Sequence, residues 1–226
     1  AVKTAITYRY EEDACNRVIY SESHDEVANG KARVPQEINN DDPTGWHAQK
    51  RSTLAAGLLF TSPGIPMIFQ GQEFLQGEWF RDNVPLDWHM NEEYHGVARM
   101  YRDLIWLRLN RDGVSRGLCG QNVAVTHVND QQNLIAFQRW DQHGDGDDVM
   151  VIANCGYEVK EGYRIGMPQS GEWKLRFNSD ASIYSDEFQN TPSTHLTAKD
   201  EPQDGLPASA EVTIAPYSVL IYSRDP

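Results

Sequence analysis

The chain has 226 residues, 39% hydrophobic and 10% aromatic, enough for one large domain or two ordinary ones with cores of their own. Its formal net charge is −13. That charge disfavours nucleic acid and anionic membranes as partners by phosphate repulsion, whereas a neutral polysaccharide stays compatible; the acids are spread along the chain rather than gathered in a tail, which reads as solubility.

The opening run AVKTAITYRYEEDACN lacks the basic start and apolar centre of a signal peptide. No apolar run approaches the roughly 20 residues that span a bilayer. Cys15, Cys119 and Cys155 show neither zinc spacing nor a disulfide framework. They suit a reducing compartment, and a cytoplasmic protein is the expectation. Residues 17–20 (RVIY) read as a short apolar strand that runs into the polar cluster SESHDE. A loop dense in Gly, Pro, Asn and Asp follows over 27–45. Leu54, Leu58 and their apolar neighbours predict a helix over about 46–60, stopped by Gly64 and Pro66. Residues 66–69 (PMIF) read as a second buried strand, again ending in a polar cluster, QGQEF. A long loop carries Trp79, Phe80, Arg81 and PLDW (85–88), and a second helix is predicted over about 94–110.

This alternation belongs to parallel α/β folds, in which the C-terminal strand ends face the ligand. Two βα units cannot close a sheet alone, and continuous apolar strands need cover on both faces. After Gly113 the period changes. Residues 122–128 and 134–140 alternate across a five-residue hairpin connection, and further strands are predicted at 148–155, 162–167, 172–178 and within 210–225. Short strands separated by turns indicate an antiparallel sandwich. The polar, Pro-containing segment 188–209 reads as a long mobile loop. The fold expectation is thus α/β plus all-β, with the boundary near residue 112.

Glu22, His24, Asp25 and Glu26 gather three carboxylates and an imidazole at a strand end. A carboxylate there can stabilise an oxocarbenium-like sugar transition state, and His can hydrogen-bond sugar hydroxyls. The bland alternative is a solvated acidic turn or helix cap. A metal site would need a second ligand cluster, which is not evident. Glu73 holds the equivalent place after the second strand, where Gly71 permits tight backbone geometry; a structural turn fits equally well. Trp46, Trp79, Phe80 and Trp88 flank these strand ends and offer flat faces to sugars, although core packing is the commoner fate of a Trp. Lys31, Arg33 and Arg81 either pair with the acids or bind substrate. No phosphate loop, nucleophile elbow or Cys/His pair is present.

Taken together, YSESHDE (20–26), PGIPMIFQGQEF (63–74) and PLDW (85–88) resemble the α-amylase superfamily, glycoside hydrolase family 13. The SHDEV run with Gly30-Lys31, and HGVARMYRDLIWLR (95–108), lean towards its 1,4-α-glucan branching enzymes. The resemblance is strong over 18–110 and architectural beyond. It implies strands and helices seven and eight of a (β/α)8 TIM barrel in residues 1–112, and the family's C-terminal all-β sandwich in 113–226. By motif, Asp25 would be the transition-state-stabilising acid and His24 a substrate-binding residue, with Glu26, Glu73 and Trp79 in supporting substrate contacts. The partner implied is an α-glucan (glycogen, starch or maltooligosaccharides), with no cofactor and no metal. The family's nucleophilic Asp and general-acid Glu belong to segments absent from this sequence, so the chain alone is expected to be inactive. Its uncovered parallel strands imply self-association. The alternatives are an α-glucan hydrolase of the same family and a non-catalytic carbohydrate-binding module.

Overall fold

The computed structural model describes residues 1–189 and 191–226. A short helix, α1 (Val2–Thr7), leads into β1 (Val18–Ile19), which runs parallel to β2 (Ile65–Pro66) with Val18 opposite Ile65. Between them lie α2 (Val34–Ile38) and α3 (Trp46–Thr61). Pro35 presets the helical φ at the start of α2. α3 ends at Thr61, within a residue of the expected end, and Pro63 accounts for the stop, because the residue before a proline is pushed out of the helical region; Ser62 is extended. Beyond β2 come α4 (Trp88–Glu93), capped by the Asp87 carboxylate on the His89 N–H, and α5 (His95–Arg108).

Eight strands follow: β3 (Asn122–Asn129), β4 (Leu134–Trp140), β5 (Val149–Asn154), β6 (Lys160–Met167), β7 (Gly171–Asn178), β8 (Leu196–Ala198), β9 (Ala208–Ile214) and β10 (Ser218–Ser223). Six form one antiparallel sheet in the order β3-β4-β5-β10-β7-β8, and β6 and β9 form a separate two-stranded ribbon. The large sheet is buried on both faces. Phe137, Val149, Val151, Val219 and Ile221 meet Leu59, Phe60 and Met100 of α3 and α5 on one side. Ala136, Met150, Ile152, Leu220 and Tyr222 alternate with them and meet Ile165, Val212 and Ile214 of the ribbon on the other. This explains why β5 and β10 are apolar at nearly every position rather than at every second one.

Buried polar groups tie the helices to the sheet. Lys50 of α3 donates to Asp180 at 2.5 Å, and both side chains are almost inaccessible. The Arg139 guanidinium of β4 donates to the carbonyls of Thr61, Leu118, Gly120 and Asn122. Arg108 at the end of α5 donates to the carbonyls of Phe60, Ser62 and Gly64.

Four expectations change. The segment 188–209 is not a long mobile loop: it contains β8 and the start of β9, and Lys199 pairs with Ser209. Phe188, Leu196 and Ala208 are buried, so apolar residues scattered among polar ones hold it down. The sandwich is lopsided, six strands facing two, with helices as a third layer. The run 210–225 divides at Ala215-Pro216-Tyr217 into strands of different sheets, with Tyr217 at φ +44°. The parallel strands are not buried: Val18 and Ile65 are each 49% exposed.

Candidate functional site

β1 and β2 end side by side, and each C-terminal end is locked by polar contacts to the other. The Gln72 side chain donates to Ser21 Oγ at 2.5 Å and accepts from the Phe69 N–H at 3.2 Å. Gly71 is left-handed at φ +84°, and a Cβ there would meet Gln76 Cβ at 2.6 Å, so the tight turn requires glycine. After β1, the N–H groups of Glu26 and Val27 both donate to the Ser23 carbonyl at 3.1 Å, closing a turn over residues 23–27. Val27 is buried, and its carbonyl accepts from the Phe80 N–H at 2.6 Å, which brings the loop carrying Trp79 beside this turn.

The five predicted site residues divide into three groups. His24, Asp25 and Glu26 project from the turn into solvent; the His24 and Asp25 side chains are 69% and 86% exposed, with His24 Nε2 3.5 Å from Asp25 Oδ1. That distance is the outer limit of a hydrogen bond, so neither side chain is committed to the other. Trp79 is partly exposed, with the Arg81 guanidinium 5.2 Å from its ring centre. Glu73 is half-buried, and its Oε2 is buried without a partner. It lines a groove with Ile68, Gln70, Tyr101 and Trp106 on the α5 side of β2.

Of the candidate cations, Lys31 donates to the Asp25 carbonyl at 3.3 Å, and Arg81 pairs with Glu78 at 2.8 Å. Arg33 is buried. Its Nη1 donates to Glu22 Oε2 at 3.1 Å and to the Gln70 carbonyl at 3.0 Å, with its guanidinium 5.0 Å from the centre of the Phe69 ring. Glu22 is fully buried, and its Oε1 accepts the Val34 N–H at 2.8 Å. Burial pushes the Glu22 carboxyl up from its ordinary range, against the opposing pull of the Val34 N–H and of Arg33. Burial likewise lowers Arg33 and raises the Tyr101 phenol, the latter also facing Glu22. The sequence offered Arg33 as a cation that either pairs with the strand-end acids or binds substrate; the choice is made only in the fold, because ten residues separate it from Glu22 and no spacing rule spans them. Trp46 packs edge-on near Tyr157 and Tyr217 instead of joining the strand ends.

The turn therefore presents an uncommitted carboxylate and imidazole above a hydrogen-bonded base of Glu22, Arg33 and Gln72. Among the described residues, no three His, Cys, Asp or Glu side chains lie together as a metal site. No helix of the described residues is long and apolar enough to cross a membrane.

Residues 125–225 match the family model for the alpha amylase C-terminal all-beta domain. The chain is 33% identical over 224 residues to a 1,4-alpha-glucan branching enzyme GlgB of Shewanella sp. (strain W3-18-1), covering 96% of the chain and 28% of the relative. It is 29% identical over 221 residues to GlgB 1 of Xanthomonas euvesicatoria pv. vesicatoria (strain 85-10), with 96% and 29% covered. The chain thus spans less than a third of the length of these relatives. Among solved structures it resembles a pullulanase complexed with maltotetraose from Anoxybacillus sp. LM18-11, with a TM-score of 0.63 at 16% identity over 93% of the chain and 28% of the pullulanase. It also resembles an alpha-amylase from H.orenii, with a TM-score of 0.57 at 18% identity over 92% of the chain and 40% of the amylase. Residues 125–225 thus match an alpha amylase C-terminal all-beta domain, and along 96% of its length the chain is similar to 1,4-alpha-glucan branching enzymes.

Proposed function

We propose that this chain is the C-terminal portion of a cytoplasmic 1,4-α-glucan branching enzyme, which cleaves an α-1,4 link and transfers the chain to a 6-hydroxyl of glycogen or starch. In this reading residues 1–112 are the last two βα units of a (β/α)8 barrel and residues 113–226 its C-terminal sandwich. The observation that carries the reading is the exposed His24-Asp25 turn held beside the Gln70–Phe74 turn at the ends of two parallel strands. Sites on parallel α/β sheets lie at this end of the strands. The similarity to branching enzymes along 96% of the chain supports it.

Asp25 would face developing positive charge on the sugar ring and orient its hydroxyls, while His24 grips the glucose unit at the cleaved bond. Glu26, Glu73 and Trp79 would contact neighbouring substrate. A retaining transfer needs a nucleophile and an acid/base about 5–5.5 Å apart. No residue of this chain is assigned either role, so the chain alone is expected to show no turnover.

The test is the complete gene product incubated with amylose. New α-1,6 linkages by NMR without release of reducing ends support transfer; stoichiometric reducing ends would make it a hydrolase. In the same assay Asp25→Asn is expected to lower kcat by about 10²–10³-fold. Its Tm should stay within a degree or so, because an exposed side chain carries little stability. Full activity in that variant would remove Asp25 from the mechanism.

A further inference from the structure

Glu22 and Arg33 lie beneath the turn that exposes His24, Asp25 and Glu26. Both are buried, at 0% and 2% exposure. Desolvating two charges is costly, and an apolar pair of similar volume often serves stability as well or better. Stability therefore gives no reason for these residues to be charged. Their geometry gives one. Glu22 Oε1 accepts the Val34 N–H at the head of α2, Glu22 Oε2 accepts Arg33 Nη1, and the same Nη1 donates to the Gln70 carbonyl at the end of β2. One carboxylate–guanidinium unit thus joins the residue three places before Asp25, the start of α2 and the neighbouring strand end. The turn closes on itself through the Glu26 and Val27 N–H groups on the Ser23 carbonyl and the Glu26 N–H on Ser23 Oγ; Phe80 holds its far end at the Val27 carbonyl, and its near end is tied to the segment after β2 by this unit and by the Gln72–Ser21 contact.

We infer that Glu22 and Arg33 are positioning residues that fix the Ser23–Glu26 turn against the end of β2 and so set where Asp25 meets the sugar. The inference rests on the reading of Asp25 as a transition-state acid. A misplacement of about 1 Å at a reacting group can cost on the order of 10²-fold in rate, so a small shift of this turn is enough to matter.

The experiment compares Glu22→Gln, Arg33→Lys and the double variant Glu22→Leu/Arg33→Met in the complete gene product. Glu22→Gln is expected to lower kcat on amylose by about 10- to 100-fold with KM within about twofold, and to speed amide exchange at Glu26 and Val27 by about tenfold. The double variant restores apolar packing without the bonds to Val34 and Gln70. It should recover the wild-type Tm yet keep the low kcat and fast exchange, a split that a purely structural pair would not produce. Arg33→Lys keeps the buried charge with a shorter reach and should show the same split more mildly. Wild-type kcat and wild-type exchange in the double variant would overturn the inference, as would an unaltered Glu22→Gln. If the wild-type product does not act on glucan at all, the functional reading fails, and the exchange rates alone decide whether the pair fixes the turn.

Discussion

Asp225, near the end of β10, accepts hydrogen bonds from Lys174 and Arg176 of β7. Those two bonds hold its carboxyl down at about 2 from an ordinary value of 3.8. A carboxylate depressed by folding adds stability that is fully present above its unfolded value and is lost as pH falls through its folded value. The window here runs from about pH 4 down to about pH 2. The Asp225 carboxylate is half exposed, so water and salt screen both bonds and the contribution is small. Asp225→Asn is expected to lower Tm by a degree or two at pH 6 in low salt, with the gap to wild type narrowing as pH falls from about 4 towards about 2 and in 1 M NaCl. A gap that stays constant with pH would sink the assignment. At this scale the sequence pointed to His24 and Asp25 because a charged cluster after an apolar run stands out by composition. The Glu22–Arg33 and Lys50–Asp180 pairs did not stand out, since their partners meet only through the fold, 11 and 130 residues apart.

At the level of elements, the helices are placed by how closely they approach their neighbours. Gly96 in the first turn of α5 lies against the Tyr184 backbone; a Cβ there would sit 2.2 Å from the Tyr184 carbonyl oxygen. Gly57 in α3 faces Val219 of β10, with a Cβ 2.9 Å from a valine methyl. Alanine raises helix propensity at both sites by about 1 kcal/mol, but the clash decides the sign. Backbone cannot rotate away, whereas a valine methyl can give a few tenths of an ångström. Gly96→Ala is therefore expected to lose about 3 kcal/mol and Gly57→Ala about 1 kcal/mol in urea unfolding. The reverse order would show that α5 is free to shift. The periodicity of α3 and α5 made both helices legible in the sequence, to within a residue or two of their ends. The short helices α1, α2 and α4 were not legible, because five or six residues carry too little period and tertiary contact sustains them. β8 was hidden for a related reason: three residues in a polar segment show no alternation, and only its pairing with β7 makes it a strand.

For the whole molecule, the change from helical to strand period after Gly113 was plain in the sequence, but the continuity of the core across it was not. One cluster takes in Leu59 and Met100 from the helices and Phe137, Val151 and Ile221 from the sheet. The parallel pair β1–β2 lies outside that protection. Val18, Tyr20 and Ile65 are 49%, 46% and 49% exposed, and at the C-terminal end of α5 Trp106 and Leu109 are 49% and 52% exposed. Apolar surface flanking an open parallel edge has two ways to be covered: further strands of the same sheet, or another copy. Under the barrel reading the complete gene product supplies the strands, and the chain alone must supply the copy. The isolated 226-residue chain is therefore expected to self-associate at tens of micromolar. Ile65→Lys and Trp106→Glu, which charge the two flanks without entering the core, should shift it towards the 25.7 kDa monomer in light scattering. In the complete gene product the same substitutions should lower Tm instead, because there each would bury a charge in a closed sheet. A monodisperse monomer of the isolated wild-type chain would mean that these edges are tolerated in water, and variants harmless to the Tm of the complete product would mean that no barrel strands cover them.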